Sequence, residues 1–317
     1  MKKRWFTQAP SNIALIKYMG KTDYQQNLPT NPSLSYTLPA LLSYVELEQY
    51  SGHQDHWEAL QIPGFKPFNL SDASQKRFLH HLSLIKDFFH YEGSFIVRSA
   101  NNFPLASGLA SSASSFAALT KCAAQALSEL CQQALPDTET LANWSRRGSG
   151  SSCRSFYSPW ALWDEQHVSA IDLPYSNLMH HVIIISHAEK TISSKTAHLA
   201  IQSSPAFLYR PGRARERLKE LMVAMKKQDW HKMKTICWEE FTDMHDLFET
   251  SSPSFRYIND KSKAALHMLT TFWETEQDGP IVTMDAGPNI HLLFRADQKD
   301  LRDKLIQTQL INQYDYL

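Results

Sequence analysis

Cysteine is scarce in this sequence, and neither sign of charge is in excess. The four cysteines are widely spread and form no CxxC pair, which argues against a zinc site or a disulfide framework and favours a reducing cytoplasm. The 14 histidines contain no HExxH pattern, so no metalloenzyme motif is visible. The 32 basic and 32 acidic residues cancel, whereas a nucleic-acid-binding protein is expected to be basic. We therefore expect no nucleic-acid partner.

Long apolar runs are absent as well. No stretch approaches the ~20 apolar residues that a membrane-spanning helix requires, so we expect no membrane partner. The start of the chain, MKKRWFTQAPSN, is basic but lacks the apolar core of a signal peptide. A chain of 317 residues exceeds one ordinary core, and we predict two domains, residues 1–180 and residues 181–317.

Strand and helix patterns mix along the chain without a regular βαβ repeat. Strands are predicted at 11–20, 32–38, 43–50, 93–101, 180–186, 281–284 and 290–294. Helices are predicted at 73–89, 116–135, 139–147, 212–248 (interrupted near 228–230) and 261–274. Residues 51–68 are expected to form an irregular loop. This mixture predicts an α+β fold.

Glycine is also rare, and half of the glycines lie in a few short segments. The chain has 10 glycines, and five of them lie in four short segments: Gly20, Gly108, Gly148, Gly150 and Gly287. Glycine is used where the backbone turns sharply or approaches a ligand closely. These four segments are therefore candidate walls of a binding site.

The segment PLASGLASS, residues 104–112, runs directly into an apolar helix. Free N–H groups and the positive end of a helix dipole favour a phosphate at such a place. Gly108 would let the backbone form an anion nest, and Ser111 and Ser112 would add hydroxyls. The alternative is an ordinary loop with a serine N-cap.

A second segment, GKT at residues 20–22, imitates a nucleotide-binding motif. It is not a Walker A motif, because Leu15 stands where that motif needs its first glycine. A cation for the phosphates must therefore come from elsewhere. Lys17 and Lys21 are the candidates, with ordinary surface lysines as the alternative.

Two further segments contain charged residues beside small ones. GSGSSCR, residues 148–154, ends in Arg154, whose guanidinium can pair a carboxylate bidentately; the alternative is a flexible turn with a solvated arginine. MDAGPN, residues 284–289, places Asp285 between two apolar strands. Asp285 could orient a substrate hydroxyl and accept its proton, or it could simply cap the turn.

Taken in order, these segments resemble the GHMP small-molecule kinase superfamily and, within it, the diphosphomevalonate decarboxylases. The resemblance rests on five stretches: APSNIALIKYMGK (9–21), NLPTNPSLSYTL (27–38), NNFPLASGLASSASSFAAL (101–119), GSGSSCRS (148–155) and MDAGPNIHLLF (284–294). Three features depart from the family pattern, namely Met19 in place of an aromatic residue, SFYSPW at 155–160, and Lys195 within SSKTAH at 193–198.

The resemblance implies a fold, a reaction and a set of roles. The fold would pair an N-terminal domain like ribosomal protein S5 domain 2 with a ferredoxin-like C-terminal domain, usually as a homodimer. The reaction would be ATP- and Mg²⁺-dependent decarboxylation of mevalonate 5-diphosphate to isopentenyl diphosphate, in the mevalonate pathway. The implied catalytic residues are Asp285, Arg154 and Lys17. The implied substrate-binding residues are Tyr18, Lys21, Ser149, Gly150, Ser151 and Ser194, and the implied ATP-binding residues are Pro104, Gly108, Leu109, Ser111 and Ser112, with Ser111 near Mg²⁺.

Three other functions remain open from the residues alone. The altered positions Met19 and Lys195 are compatible with a decarboxylase of mevalonate 5-phosphate. A kinase of the superfamily would phosphorylate and stop, although it would have less need of a carboxylate-binding arginine. A protein that only binds nucleotide could retain the fold. Release of carbon dioxide separates the decarboxylases from the other two.

Overall fold

Two sheets organise the part of the chain that a computed structural model describes, residues 3–65, 69–103, 111–188 and 191–317. The strands are β1 (Arg4–Ile16), β2 (Lys21–Asp23), β3 (Leu28–Pro29), β4 (Ser33–Tyr50), β5 (His56–Ala59), β6 (Ser94–Asn101), β7 (Trp160–Asp164), β8 (His167–Ala170), β9 (Met179–Ile184), β10 (Ile281–Thr283), β11 (Ile290–Phe294) and β12 (Asp315–Tyr316). The helices are α1 (Asp72–Phe88), α2 (Ser111–Leu130), α3 (Thr138–Gly148), α4 (Ser194–Ala200), α5 (Arg210–Lys226), α6 (Trp230–Glu249), α7 (Asp260–Glu276) and α8 (Lys299–Leu305).

The first sheet is built on the long strand β4. Its order is β5-β6-β4-β7-β8, with β1 also paired to β4, and all pairs are antiparallel except β5 with β6. Two separate strands were predicted where β4 runs continuously. The register of β1 against β4 shifts between Pro10 and Ser11, passing from Leu42 to Leu38. This irregularity accommodates the exposed Pro39 and Ala40, so the strand bends there without ending.

Helices α1 and α2 cover one face of this sheet. The alanines and serines of α2 are small enough for the helix to lie close to the strands, and most of its residues are buried. The resulting core joins aromatic and aliphatic side chains of sheet and helices, among them Trp5, Val45, Leu47, Phe78, Leu82, Phe95, Val97, Phe116, Leu119 and Leu127. Full burial of each large apolar side chain contributes about 1.5–3 kcal/mol.

The second sheet is antiparallel with the order β10-β11-β9-β12. Helices α7 and α8 cover one face, through residues such as Leu266, Leu269 and Leu305. Helices α5 and α6 lie on the other face. Their buried residues join a cluster that includes side chains of both sheets, among them Ile13, Leu15, Leu34, Trp160, Val182, Leu221, Met233, Ile236 and Leu293.

The predicted α+β fold is confirmed, with local differences. Residues 56–59 form β5 inside the expected loop, and residues 150–156 form a 3-10 helix (Gly150–Phe156) where a turn was expected. Helices α4 and α8 and strands β7 and β8 were not predicted. The interruption near 228–230 is present: Asp229 caps α6 by accepting a hydrogen bond from the Lys232 N–H at 2.9 Å.

Candidate active site

A cleft of about 1160 Å³ lies where the end of β1 meets the loop after β10. It brings together every implied site residue that the structure describes: Lys17, Tyr18, Lys21, Ser111, Ser112, Ser149, Gly150, Ser151, Arg154, Ser194 and Asp285. Pro104, Gly108 and Leu109 lie outside the described residues. Segments that are far apart in sequence therefore converge on one cavity of a size that suits small molecules.

Lys17 and Asp285 form an ion pair across the cleft wall, although 268 residues separate them. Lys17 Nζ lies 2.8 Å from Asp285 Oδ1, and the lysine side chain is 2% exposed while the aspartate side chain is 27% exposed. The Lys17 backbone is held as well, because its N–H donates to Glu240 and its carbonyl accepts from Asn31. Lys17 is therefore a fixed, buried cation, and the surface-lysine alternative is wrong for this residue.

The charges around Asp285 keep its carboxylate ionised. Burial raises its pKa, but Lys17, His291 and Arg154 outweigh burial, so the pKa of Asp285 lies below its usual range. His245 lies behind it and donates from Nε2 to the Asp285 carbonyl at 3.1 Å; burial lowers the pKa of His245 to about 4, so the ring is neutral. Asp285 can therefore accept hydrogen bonds from a ligand at neutral pH.

Arg154 is buried beside the same cleft, in the 3-10 helix Gly150–Phe156. Its Nε donates to Asn12 Oδ1 at 3.2 Å and its Nη1 donates to Ser33 Oγ at 3.0 Å. Its guanidinium also lies over the Trp163 ring, 5.8 Å from the centroid. These contacts fix the orientation of a planar cation that borders the cavity, so the solvated-turn alternative is wrong.

Gly150 is required by the packing of Tyr18. A Cβ at this position would lie 2.5 Å from Tyr18 Cε1, which is too close for carbon atoms. The Tyr18 ring packs between Trp163 and His198, with centroid distances of 4.6 and 4.5 Å. Burial raises the pKa of Tyr18, so its hydroxyl remains protonated. The glycine thus allows the tyrosine to line the cleft in one orientation.

A cationic pocket occupies another part of the cleft. Lys21 Nζ donates to Asn27 Oδ1 at 2.6 Å, and burial, with the nearby charges of Arg77 and Lys195, lowers the pKa of Lys21 to about 8. Arg77 projects from α1 and is held by the Gly148 carbonyl, 2.6 Å from Nη2. Mutual repulsion of three cations favours binding of an anion between them.

The start of α2 adjoins the Gly150–Phe156 segment. Ser149 Oγ lies 3.3 Å from Ser112 Oγ, and Ser111 is the first described residue of α2. The segments that the resemblance implies for ATP and for the substrate are therefore neighbours.

Sequence reasoning missed Arg77, Glu240 and His245. All three lie inside amphipathic helices, α1 and α6, where a polar residue gives no local signal of a site. By contrast, SFYSPW at 155–160 does not border the cleft; Trp160 begins β7 and is fully buried. Within this segment Ser155 and Trp160 are buried and Ser158 is exposed, so the departure from the family pattern lies away from the cleft.

No helix among the described residues combines the length and the apolar character needed to cross a membrane.

Comparison with known proteins agrees with this geometry. Two family models match the chain, the diphosphomevalonate decarboxylase-like N-terminal domain at residues 9–171 and the mevalonate 5-diphosphate decarboxylase C-terminal domain at residues 181–314. The mevalonate diphosphate decarboxylase structure from Legionella pneumophila is 55% identical, with a TM-score of 0.94 over 99% of this chain and 100% of that chain. The structure from Staphylococcus aureus is 26% identical, with a TM-score of 0.87 over 100% and 95%.

Curated relatives give the same result. The diphosphomevalonate decarboxylase of Aspergillus fumigatus is 32% identical over 91% of this chain and 76% of its own length, and that of Candida albicans is 30% identical over 92% and 84%. Fold and cleft thus define an enzyme with the GHMP kinase fold. Within that class, the chain belongs to the diphosphomevalonate decarboxylase family.

Proposed function

We propose that this chain catalyses ATP-dependent decarboxylation of mevalonate 5-diphosphate, giving isopentenyl diphosphate, ADP, phosphate and carbon dioxide. The observation that carries the proposal is the placement of the Lys17–Asp285 pair and Arg154 on one cleft. A related structure, 27% identical with a TM-score of 0.87, is a complex with MVAPP, AMPPCP and magnesium. The same reaction places the chain in the mevalonate pathway of isoprenoid biosynthesis.

Asp285 and Lys17 serve the first step, phosphorylation of the tertiary hydroxyl. ATP supplies the phosphoryl group that turns this poor leaving group into a good one. Asp285 is ionised and accepts the hydrogen bond of the hydroxyl, which orients its oxygen for in-line attack and later takes its proton. A carboxylate of low pKa is sufficient because the transition state of phosphoryl transfer is loose. Lys17 stabilises the charge that develops beside Asp285.

Arg154 serves the second step. The bond between the carboxylate carbon and its neighbour breaks, its electron pair forms the new double bond, and the phosphate leaves with the electrons of its C–O bond. Arg154 would hold the carboxylate through charge-assisted hydrogen bonds. Its own contacts with Asn12 and Ser33 fix the angle at which the carboxylate lies relative to the leaving group.

The remaining residues would bind the two sets of phosphates. Lys21 and Lys195 provide charge for the substrate diphosphate beside hydroxyls of Tyr18, Ser149, Ser151 and Ser194. Ser111 and Ser112, with the loop containing Pro104, Gly108 and Leu109, would bind the phosphates of ATP. The described residues include no group of three or more His, Cys, Asp or Glu side chains that could hold a metal ion, but hydroxyl and carboxylate oxygens suit Mg²⁺ that is held mainly by phosphates. Mg²⁺ would neutralise phosphate charge there, with Ser111 as its nearest proposed protein ligand.

The domain division and the setting are also proposals. Residues 1–180 contain the first sheet, and residues 181–317 contain most of the second. The first family model ends at residue 171, and the second begins at residue 181. The four cysteines are free, which supports a cytoplasmic protein. A homodimer is proposed from the family resemblance, and light scattering of the purified protein at several concentrations tests it.

A coupled assay with ATP, Mg²⁺ and mevalonate 5-diphosphate tests the function, with ADP and carbon dioxide followed together and the 5-monophosphate in parallel. Equal release of both products from the diphosphate is expected. ADP without carbon dioxide would make the chain a kinase, and activity on the monophosphate alone would change the substrate.

A further inference from the structure

Glu240 lies behind the catalytic pair and is completely buried on α6. Its Oε1 accepts a hydrogen bond from the Lys17 backbone N–H at 2.8 Å, across 223 residues of sequence. Lys17 follows directly after β1, so this contact ties the end of the strand to α6. Asn31 holds the carbonyl of the same residue. Both backbone groups of Lys17 are thus fixed by side chains from other segments.

The charge of Glu240 is balanced by arginines from α5. Arg210, also fully buried, donates to both carboxylate oxygens of Glu240, and Arg217 Nη1 lies 3.1 Å from Oε2. Asp243, one turn further along α6, accepts from Arg217 at 2.8 Å and pairs with Arg213 at 2.6 Å. The arginines therefore contact both carboxylates, whereas only Glu240 contacts Lys17.

We propose that Glu240 is a positioning residue that holds Lys17 in place and keeps its ammonium charged beside Asp285. The proposal rests on the decarboxylase function proposed above. Neutral Lys17 could not stabilise the charge that develops during phosphoryl transfer, so a buried anion behind it would maintain activity as the pH rises.

The other groups that face Lys17 are not sufficient to keep its ammonium charged. Burial lowers the pKa of Lys17, and the charges of Asp285, Glu240 and Cys237 oppose that effect. The Cys237 thiol is buried and its pKa is raised, so it is uncharged at neutral pH. His245 on α6 is neutral, and Arg154, which borders the same cleft, is a cation. Asp285 and Glu240 are therefore the anions that favour the charged lysine among these groups.

Glu240→Gln removes the charge and keeps the side-chain volume. Because this change also leaves buried Arg210 with Asp243 as its remaining carboxylate partner, the double variant Arg210→Met/Glu240→Gln is made beside it. Replacing both members of a buried pair by neutral groups is often tolerated. Asp243→Asn is the matched control. It removes a carboxylate from the same helix and the same arginine cluster without touching Lys17.

The pH profile of kcat is measured at saturating substrate, with KM determined at each pH. In Glu240→Gln the alkaline limb of the kcat profile is expected to move down by about one pH unit, which is a tenfold change in the Lys17 equilibrium. In the double variant the limb should move in the same direction but by less, because the opposing charge of Arg210 is removed together with that of Glu240. KM is expected to change little, and Asp243→Asn is expected to keep the wild-type profile. An unchanged limb in the double variant, or the same shift in Asp243→Asn, would overturn the proposal. Failure of both Glu240 variants to fold would assign the residue to stability alone and would also overturn it.

A second readout separates this proposal from the proposed function. The Nζ signal of Lys17 is followed by NMR in protein labelled with ¹⁵N at lysine side chains and is assigned with Lys17→Arg. A lower titration point in the double variant supports the role of Glu240 even if the wild-type protein does not decarboxylate mevalonate 5-diphosphate. An active wild-type enzyme with no such difference between the two proteins contradicts the role of Glu240 and leaves the proposed function intact.

Discussion

At the scale of single residues, the site depends on charges that are removed from water but remain paired. Lys17 is almost completely buried, yet it contacts Asp285 through Nζ and Glu240 through its backbone. Arg154 has hydrogen-bond acceptors on Asn12 and Ser33. Without partners, a buried lysine would lose its proton, a buried carboxylate would gain one, and a buried arginine would destabilise the site. The partners therefore decide which protonation states are available for chemistry.

Asp285→Asn tests the role of the carboxylate. The amide cannot take the proton of the substrate hydroxyl, so we expect kcat to fall about 10²- to 10⁴-fold with a small change in KM. Asp278→Asn is the matched control, because Asp278 is an aspartate near a strand end that pairs with Arg295 outside the cleft. Its kcat should be close to that of the wild type. An Asp285→Asn enzyme that turns over normally would remove the residue from the mechanism.

The pKa of Lys21 makes a prediction about pH. This pKa is lowered to about 8 by burial and by Arg77 and Lys195, so the amine of the free enzyme loses its proton above that pH. A neutral amine cannot pair with the diphosphate, and kcat/KM should therefore fall as pH rises through 8. Lys21→Arg keeps its charge throughout this range. The fall of kcat/KM above pH 8 should disappear in Lys21→Arg. If the fall persists in that variant, another group is responsible for it.

At the scale of secondary-structure elements, the local sequence pattern and tertiary packing contribute differently to where helices and strands begin and end. Helix α2 already includes Ser111, five residues before the predicted start, because serine and alanine provide no apolar period until Phe116. Strand β4 was read as two because Pro39 interrupts the pattern, although pairing with β1 makes the strand continuous. The interruption between α5 and α6 was predicted correctly. The predicted boundaries were thus wrong where tertiary pairing overrides a weak local sequence pattern.

The 3-10 helix Gly150–Phe156 leads to a prediction about packing. In Gly150→Ala the new methyl group must displace the Tyr18 ring. We expect a loss of about 1–3 kcal/mol in the free energy of unfolding and a higher KM for the substrate. Gly212→Ala in α5 is the control, because no atom lies within 4 Å of the added Cβ there. Thermal unfolding and steady-state kinetics measure both effects. Equal unfolding free energies and equal KM values in the two variants would contradict the packing role of Gly150.

At the scale of the whole molecule, one hydrophobic cluster joins the two sheets. It contains Leu15 and Leu34 from the first sheet, Val182 and Leu293 from the second, and Ile236 from α6. This shared core holds the end of β1 against the loop that contains Asp285. The site therefore depends on a contact that neither sheet makes alone.

Ile236→Ala tests this coupling. Removing a fully buried isoleucine should cost about 2–5 kcal/mol, and both sheets should still unfold in one transition. Calorimetry and circular dichroism measure the transition. Glu239→Ala, at the neighbouring exposed position of α6, should have little effect. Two separate transitions in the Ile236 variant would show that the sheets are independent.

The chemistry of contiguous segments could be predicted from the sequence alone. The family, the α+β fold and the reaction followed from short motifs, because the residues proposed to bind phosphate or a carboxylate lie a few positions apart in each motif. The contributions of Arg77, Glu240 and His245 required the tertiary structure. Each lies in an amphipathic helix, whose pattern shows which face is buried but not which distant residue that face will meet. The long-range contacts of the folded chain, such as Lys17 with Asp285 and Glu240, alone decide how the cations of the cleft are oriented and kept charged.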